Sequence, residues 1–160
     1  MPSRTRSLSQ TREEYWAAFE EFLQQNRHDL EIQRWGSQKH FRWSPVEGVD
    51  KNHAHFAAVA SLTNSGIRRA GNRVQLVLQK PHASHYLDEL SRHGATIDSA
   101  IPGAQWLEKP VGDASHIEVW KEHRVGQRDE WTEDFAWMLG YLLIFRRVLS
   151  HFVQEASTRL

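Results

Sequence analysis

The sequence predicts a single α+β domain, in which an antiparallel sheet of about four to six strands packs against an N-terminal, a middle and a long C-terminal helix. Two segments, 53–62 and 73–80, alternate with a period of two, which is typical of strands with one buried face. Apolar residues recur at helical spacing over 12–26, 82–93 and 131–152. No internal repeat or low-complexity linker divides the chain, which indicates one domain.

The first helix is predicted from a start signal and an aromatic face. Thr11 followed by Glu14 has the spacing of a capping box, in which each side chain bonds the other residue's backbone amide. We therefore expect the residues before Thr11 to form a flexible tail. The face expected to meet the core comprises Tyr15, Trp16, Phe19, Phe22 and Leu23.

The two alternating segments are expected to pair as antiparallel strands across a Gly- and Asn-rich connection. Phe56, Ala58, Ala60 and Leu62 should face the core, as should Val74, Leu76 and Leu78. On the other face, His53 and His55 should mark a solvated strand end, and Arg73 and Gln75 should point outward. Further short strands are expected in a hairpin over 29–44 and at 95–98, 105–109 and 115–122.

The last helix carries an unbroken apolar seam, and Asp129 is expected to cap it. Steps of four and three residues are the spacing with which one helix packs along another. The seam could receive the aromatic face of helix 12–26 in the same chain, or it could pair two copies of the protein. Its members are Trp131, Phe135, Met138, Leu142, Phe145, Leu149 and Phe152.

Composition excludes several classes of protein. The chain has 160 residues, with Lys plus Arg equal to Asp plus Glu at 20 each, so no net field attracts nucleic acid, membrane or acidic ligands. Cysteine is absent, which excludes disulfides, thiol catalysis and Cys-ligated metals. We expect a cytoplasmic protein without a membrane span or cofactor, with a domain over 11–156 between tails at 1–10 and 157–160.

Three stretches of the second half carry a resemblance to a known family. They read YLDELSRHGATIDSAIPGAQWLEKP, SHIEV and WTEDFAWMLGYLLIFRRVL, and the YW at 15–16 fits the start of the same family. Together they resemble the bacterial domain of unknown function DUF4268. The matching positions are Tyr86, Leu90, Ile97, Asp98, Gly103, Trp106, Ser115, Ile117, Trp131, Trp137 and Phe145.

The resemblance implies a biological setting and does not imply a particular reaction. Members of that family often carry the domain behind a nuclease domain of the PD-(D/E)xK type, in restriction and phage defence. The fused nuclease is not expected here, because only a short tail precedes Tyr15. Asp98 stands where the family more often has glutamate. The matched positions are core positions, and they argue for a shared fold.

Three groups of residues have side chains that could bind a metal or take part in catalysis. His53 and His55 share a strand face, as do His116 and Glu118, and the four would bind zinc or iron if their strands were neighbours. His82 and His85 lie a turn apart but have no third partner in the sequence. Asp113, Glu118 and Lys121 imitate a nuclease site, but alternation places the lysine on the opposite strand face from Glu118.

Basic and aromatic residues interleave in two places, which is the pattern that binds unpaired nucleic acid. The hairpin contributes Arg34, Trp35, Lys39, Arg42 and Trp43, and the connection after residue 62 contributes Arg68, Arg69 and Arg73. The alternative is that the tryptophans are core residues and the arginines cover its rim.

The sequence therefore favours a non-enzymatic module that contacts DNA, RNA or a nuclease partner in a defence setting. A protein-binding module or homodimer built on the helical seam is the first alternative. A metal-dependent hydrolase or nuclease is the second.

Overall fold

The structure is a computed structural model that describes residues 8–26, 29–34, 41–61, 71–108, 114–122 and 128–160. Its elements, in chain order, are α1 (Leu8–Asn26), β1 (Phe41–Pro45), β2 (Ala54–Ser61), β3 (Gly71–Leu78), α2 (Ala83–Ser91), α3 (Gly94–Ala100), β4 (Gln105–Leu107), β5 (Ser115–Glu122) and α4 (Trp131–Ser157), with a short 3-10 turn at Arg128–Glu130 before α4. The predicted α+β fold, with N-terminal, middle and long C-terminal helices, is confirmed.

The strands form one five-stranded antiparallel sheet in the order β1-β2-β3-β5-β4. The predicted pairing of the two alternating segments is confirmed, and its register places Phe56 opposite Leu76. Within the hairpin predicted over 29–44, the described residues form one antiparallel bridge, between Gln33 and Trp43 of β1. β4 pairs with β5 only up to Glu118, so in the described part of the chain β5 continues beyond it as an edge strand.

One face of the sheet forms the main core together with the helices. Phe56, Leu76 and Ile117 are buried there in the middle of the sheet, where alternation predicted inward-facing residues. Tyr86 and Leu90 of α2 join the same cluster. At roughly 25 cal/mol per Å² of apolar surface, this burial is the main driving force for the fold.

The helix α4 crosses this face and is the largest helical part of the core. Met138, Phe145 and Leu149 have no exposed surface. Among the described residues one helix, Arg128–Ser157, is long and apolar enough to cross a membrane by length and composition alone. The core helix of a soluble protein has the same properties, and the seam of α4 lies in this core.

Several local predictions were wrong. α1 begins at Leu8, before the predicted capping box, so Thr11 lies inside the helix and residues 8–10 are not a tail. The strand predicted at 95–98 is the helix α3, because its one buried residue, Ile97, satisfies helical and strand spacing equally. Asp129 does not cap α4, since it lies within the 3-10 turn and Glu130 holds the N-cap position.

The second face of the sheet was predicted to be solvated but is also covered. Ala57, Val59 and Val77 form a small buried cluster there, with Phe41 and Ala114 packed against it. His55 on the same face is only 2% exposed. Alternation predicts which residues share a face, but it does not reveal whether another part of the chain covers the more polar face.

Candidate nucleic-acid interface

The largest exposed aromatic group on the described part of the sheet is Trp120, near the end of β5. Trp120 is 42% exposed. It lies on the second face of the sheet, at a point where β4 no longer pairs with β5 in the described part of the chain. A Cβ atom added to Gly71 of β3 would lie 2.8 Å from Cε2 of the indole. Real Cβ atoms do not approach so closely, so the indole rests on the bare backbone of Gly71. The glycine therefore creates the space in which Trp120 lies.

Arg73 lies beside this indole, because it is the residue directly opposite Trp120 in the register of β3 and β5. Its Nε is 3.3 Å from Oε2 of Glu118, and both side chains are mostly buried. Nη1 donates to Oγ of Ser61 at 3.4 Å. A guanidinium beside an exposed indole is a pairing that can hold a phosphate next to a stacked base. We call Gly71, Arg73 and Trp120 the indole platform.

Polar side chains on the core face anchor the strands beneath the indole platform. The hydroxyl of Tyr15 donates to Oδ1 of Asn72 at 3.2 Å, which ties α1 to β3. Nζ of Lys121 lies 3.5 Å from Oδ1 of Asp134, which ties β5 to α4. Burial, together with the negative charge of Asp134, raises the pKa of Tyr15, so the hydroxyl keeps its proton and remains a donor. Both strands of the platform are thus fixed from behind.

Arg42, a predicted nucleic-acid contact, is instead part of the core. Its side chain is 4% exposed, and its Nε donates to Oε1 of Glu20 on α1 at 3.1 Å. The guanidinium lies 5.0 Å from the ring centroid of Trp16. Burial lowers the pKa of Arg42, and the Glu20 carboxylate opposes that shift. The prediction is corrected here, because the guanidinium has little surface to offer a phosphate.

Trp43 is also buried, at 6% exposure. Its Nε1 donates to the backbone oxygen of Arg34 at 3.3 Å, and Nζ of Lys51 lies 5.5 Å from its ring centroid. An indole with so little exposed surface has no open stacking face. The alternative of a core tryptophan therefore describes Trp43, while Arg42 is itself buried and does not lie at the rim.

The remaining predicted contacts divide into two groups. Arg34 is exposed at the surface of the segment before β1, and Arg73 belongs to the indole platform. Trp35, Lys39, Arg68 and Arg69 lie outside the described residues. In the chain, Arg68 and Arg69 belong to the connection that joins Ser61 of β2 to Gly71 of β3.

A cleft of about 420 Å³ separates α1 from the segment 29–34. Leu23, Leu30 and Ile32 line it with apolar surface, while its polar lining comes from Glu20, Gln24, Glu31 and Arg34. Carboxylates and a guanidinium alternate around it, so it has no preference for an anion such as a phosphate. This cleft is a weaker candidate for nucleic acid than the indole platform.

The predicted metal constellation does not assemble. The sheet order places β3 between the strands that carry His55 and His116, and these residues flank Val77 in the register. Val77 therefore separates the two histidines, whose backbones lie about 9.6 Å apart. His55 hydrogen-bonds the backbone oxygen of Lys51 at 3.0 Å, and Glu118 pairs with Arg73. No three described His, Asp or Glu residues form a group that could hold a metal.

The nuclease-like group of Glu118 and Lys121 does not assemble, because strand alternation places the two side chains on opposite faces of the sheet, as predicted. Glu118 lies on the second face with Arg73, whereas Lys121 lies on the core face with Asp134. The carboxylate and the ammonium therefore point away from each other. Asp113 lies outside the described residues.

The seam of α4 packs within its own chain. Tyr15 contacts Trp131 and Phe135 edge-on, with ring centroids 5.1 Å apart in both pairs. Phe152, the last member, is half-buried and stacks on His93 at 4.3 Å. The other members are buried in the main core. A homodimer through these residues would require them to leave that core.

Sequence reasoning missed Trp120 and Gly71 as site residues, although a signal was present. Trp120 alternates with Ile117 and Val119, so it belongs to the same face as His116 and Glu118, where no core residue was expected. An aromatic residue on the polar face of a strand is informative. That the indole lies on a glycine depends on the register of β3 against β5, which the sequence does not supply.

Comparison with protein families, curated proteins and solved structures finds no match to this chain.

Proposed function

We propose that this chain is a non-enzymatic module that binds single-stranded or distorted nucleic acid through the indole platform. The observation that carries the proposal is the exposed indole of Trp120, held on Gly71 beside Arg73. Base stacking on an aromatic side chain contributes about 1–3 kcal/mol per base and tolerates any sequence. A duplex keeps its bases stacked on each other, so an unpaired strand is the preferred substrate.

The charge distribution around the platform supports the same proposal. The chain is neutral as a whole, so attraction must come from local cations. Arg73 is fixed beside the indole, and the connection that carries Arg68 and Arg69 enters β3 at Gly71. Glu118 competes with phosphate for Arg73, which implies weak binding at physiological salt.

The biological setting in this proposal rests on the resemblance to DUF4268. Several matching positions, among them Tyr86, Ile97 and Ile117, are buried in the core. Two others bond to each other, since Nε1 of Trp106 donates to Oδ1 of Asp98 at 2.8 Å. This contact gives the acid at that position a structural role. A cytoplasmic bacterial protein that acts beside a nuclease in restriction or phage defence is the corresponding setting.

The direct test is fluorescence anisotropy with labelled single-stranded DNA, single-stranded RNA and duplex DNA at low salt. We expect the single strands to bind more tightly than the duplex, with an affinity that falls as salt increases. Trp120→Ala should weaken binding about 5- to 100-fold, which corresponds to the loss of one stacked base. Trp137→Ala, at a half-buried indole on α4, is the matched control and should leave the affinity unchanged.

A second part of this experiment changes one charged residue beside the platform and one distant control. Glu118→Gln should strengthen binding, because it removes the carboxylate that competes for Arg73, whereas Arg147→Glu on exposed α4 surface should have no effect. No binding of either single strand at low salt would refute the proposal. Equal affinity of the Trp120→Ala variant and the unmodified protein would exclude the platform as the binding surface.

A nuclease or other protein partner is the second candidate, favoured by the edge of β5 beyond β4. An exposed edge strand can pair with a strand of another protein, and an adjacent tryptophan is a frequent anchor of such interfaces. Light scattering of the chain mixed with a nuclease encoded beside its gene tests this candidate. A complex lost in Trp120→Ala would support it, and unchanged masses would contradict it.

A further inference from the structure

Two histidines from different parts of the chain meet near the start of α2. His53 precedes β2 and His82 precedes α2, and their ring centroids are 4.5 Å apart with the planes inclined at 63°. Both side chains are half-buried. In the sequence His53 lies near His55 and His82 lies near His85, so the pairing of His53 with His82 arises only in the fold.

Backbone hydrogen bonds hold the two histidines in one junction. The amide of Gln79 donates to the oxygen of His53 at 2.9 Å, and the amide of His82 donates to the oxygen of Gln79 at 3.1 Å. The amide of His53 donates to the oxygen of Asp50 at 2.9 Å. Because these hydrogen bonds fix both backbones, the two rings are already close together in the folded protein. Such preorganisation is what a ligand site requires.

The distance between the rings fits two ligands of one ion. An imidazole nitrogen binds zinc at about 2.0–2.1 Å, which places the ring centroid about 3.2 Å from the metal. Two such rings at ligand–metal–ligand angles of about 90 to 110° have centroids about 4.5 to 5.2 Å apart. The observed 4.5 Å lies at the short end of this range.

The geometry points to an exchangeable two-histidine site for a divalent first-row metal ion such as Zn²⁺ or Ni²⁺. Imidazole is a preferred ligand of these ions, and water would complete the coordination. No third described His, Asp or Glu joins the pair, so the dissociation constant should be on the order of 10–100 µM, far weaker than a structural zinc site. The ion would join the turn before β2 to the turn before α2.

The neighbouring histidines supply the controls. Nε2 of His85 hydrogen-bonds the backbone oxygen of Ala156 at 2.8 Å, and His55 is buried in the sheet. His151 is 79% exposed on α4, far along the chain from the junction. It tests whether any surface imidazole would bind equally well.

The experiment is isothermal titration of the full chain with zinc chloride and, separately, nickel chloride, at pH 7.5 in a buffer that does not bind metal. We expect one binding event that is lost in both His53→Ala and His82→Ala and retained in His151→Ala. His53→Phe keeps an aromatic ring in the contact without a ligand nitrogen. This variant replaces the alanine variants if they fail to fold, and it should also lose the metal-binding event.

A second measurement uses proton competition. Metal displaces protons from its ligands, so the titration should release protons to the buffer, and metal should raise the melting temperature of the unmodified protein and of His151→Ala but not of His53→Ala or His82→Ala. Equal binding by all variants, or loss in only one of His53→Ala and His82→Ala, would overturn the inference and leave the pair as a packing contact. The site is independent of nucleic-acid binding, so either result leaves the indole platform to its own test.

Discussion

The indole of Trp120 occupies the space that the absent side chain of Gly71 leaves open. A Cβ at Gly71 would overlap Nε1 of the indole and would lie 2.8 Å from its Cε2 and 2.7 Å from the backbone oxygen of Lys121 on the neighbouring strand. The indole could swing away, but the strand oxygen is held by the sheet. The glycine is therefore required by the sheet as well as by the platform.

Gly71→Ala is expected to destabilise the protein by about 1–3 kcal/mol through overpacking, and to reduce nucleic-acid affinity because the indole moves. Gly140→Ala is the matched control, because a Cβ there meets nothing within 4 Å and the position lies inside α4. Alanine has the better helix propensity, so this variant should be more stable by about 1 kcal/mol. Urea unfolding checks both signs. Equal effects of the two substitutions would contradict the close contact at Gly71.

The ion pair between Glu20 and Arg42 should respond asymmetrically to mutation. Arg42 is 4% exposed but Glu20 is 38% exposed. Glu20→Gln leaves a buried charge without its partner and should cost about 1–3 kcal/mol, discounted from a fully buried pair because Glu20 is partly solvated. Arg42→Met leaves only a half-exposed carboxylate and should cost less. Chemical denaturation of both single variants and the double variant measures the difference; a larger loss in Arg42→Met would contradict this account.

Burial of His55 should make the stability depend on pH. Burial lowers the pKa of His55 below the ordinary value of an imidazole, so the folded state holds a neutral ring at a pH where the unfolded state binds a proton. This contribution is fully present above the unfolded pKa and is lost as the pH falls through the folded pKa. We expect stability to decrease as the pH falls below about 7, by at most about 1.4 kcal/mol per pH unit from this group.

His55→Asn isolates that contribution, because an amide can still donate to the backbone oxygen of Lys51 but does not titrate. Its free energy of unfolding, measured across the same pH range, should fall less steeply than that of the unmodified protein. His151→Asn, at an exposed position, should follow the unmodified curve. Parallel curves for His55→Asn and the unmodified protein would mean that His55 is not protonated differently on unfolding.

The seam of α4 gives a prediction about assembly. Leu142 is 1% exposed within the chain's own core, so Leu142→Ala should cost about 2–5 kcal/mol. Because the contacts are intramolecular, the melting temperature should not change with protein concentration in either form. A melting temperature that rises with concentration in the unmodified protein, and not in the variant, would support the homodimer instead.

The elements with a long, regular pattern were the ones that the sequence could predict. The alternation in β2 and β3 predicted their pairing and their core face, and the spacing in α4 predicted its seam. The segment at 95–98 is too short for its period to be decided by one isoleucine. The cap predicted at Asp129 failed because local sequence does not show where a 3-10 turn gives way to a helix.

The candidate site was less predictable, because its residues become neighbours only through the sheet. Arg42 and Trp43 carry the residue types of a binding patch, but Glu20 and Trp16 arrive from α1 and enclose Arg42. Trp120 acquires its position from the register that places it opposite Arg73, with its indole against Gly71. Sequence spacing reports contacts within one element, whereas these contacts cross between elements that are distant along the chain.

The packing of α1 against α4 also has a consequence for biosynthesis. Tyr15 and Phe19 are translated long before Trp131 and Phe135, whose rings pack against them. Until α4 has been synthesised, the nascent chain therefore carries an aromatic helix face without these partners. During that interval the chain is a natural client for chaperones that hold hydrophobic segments.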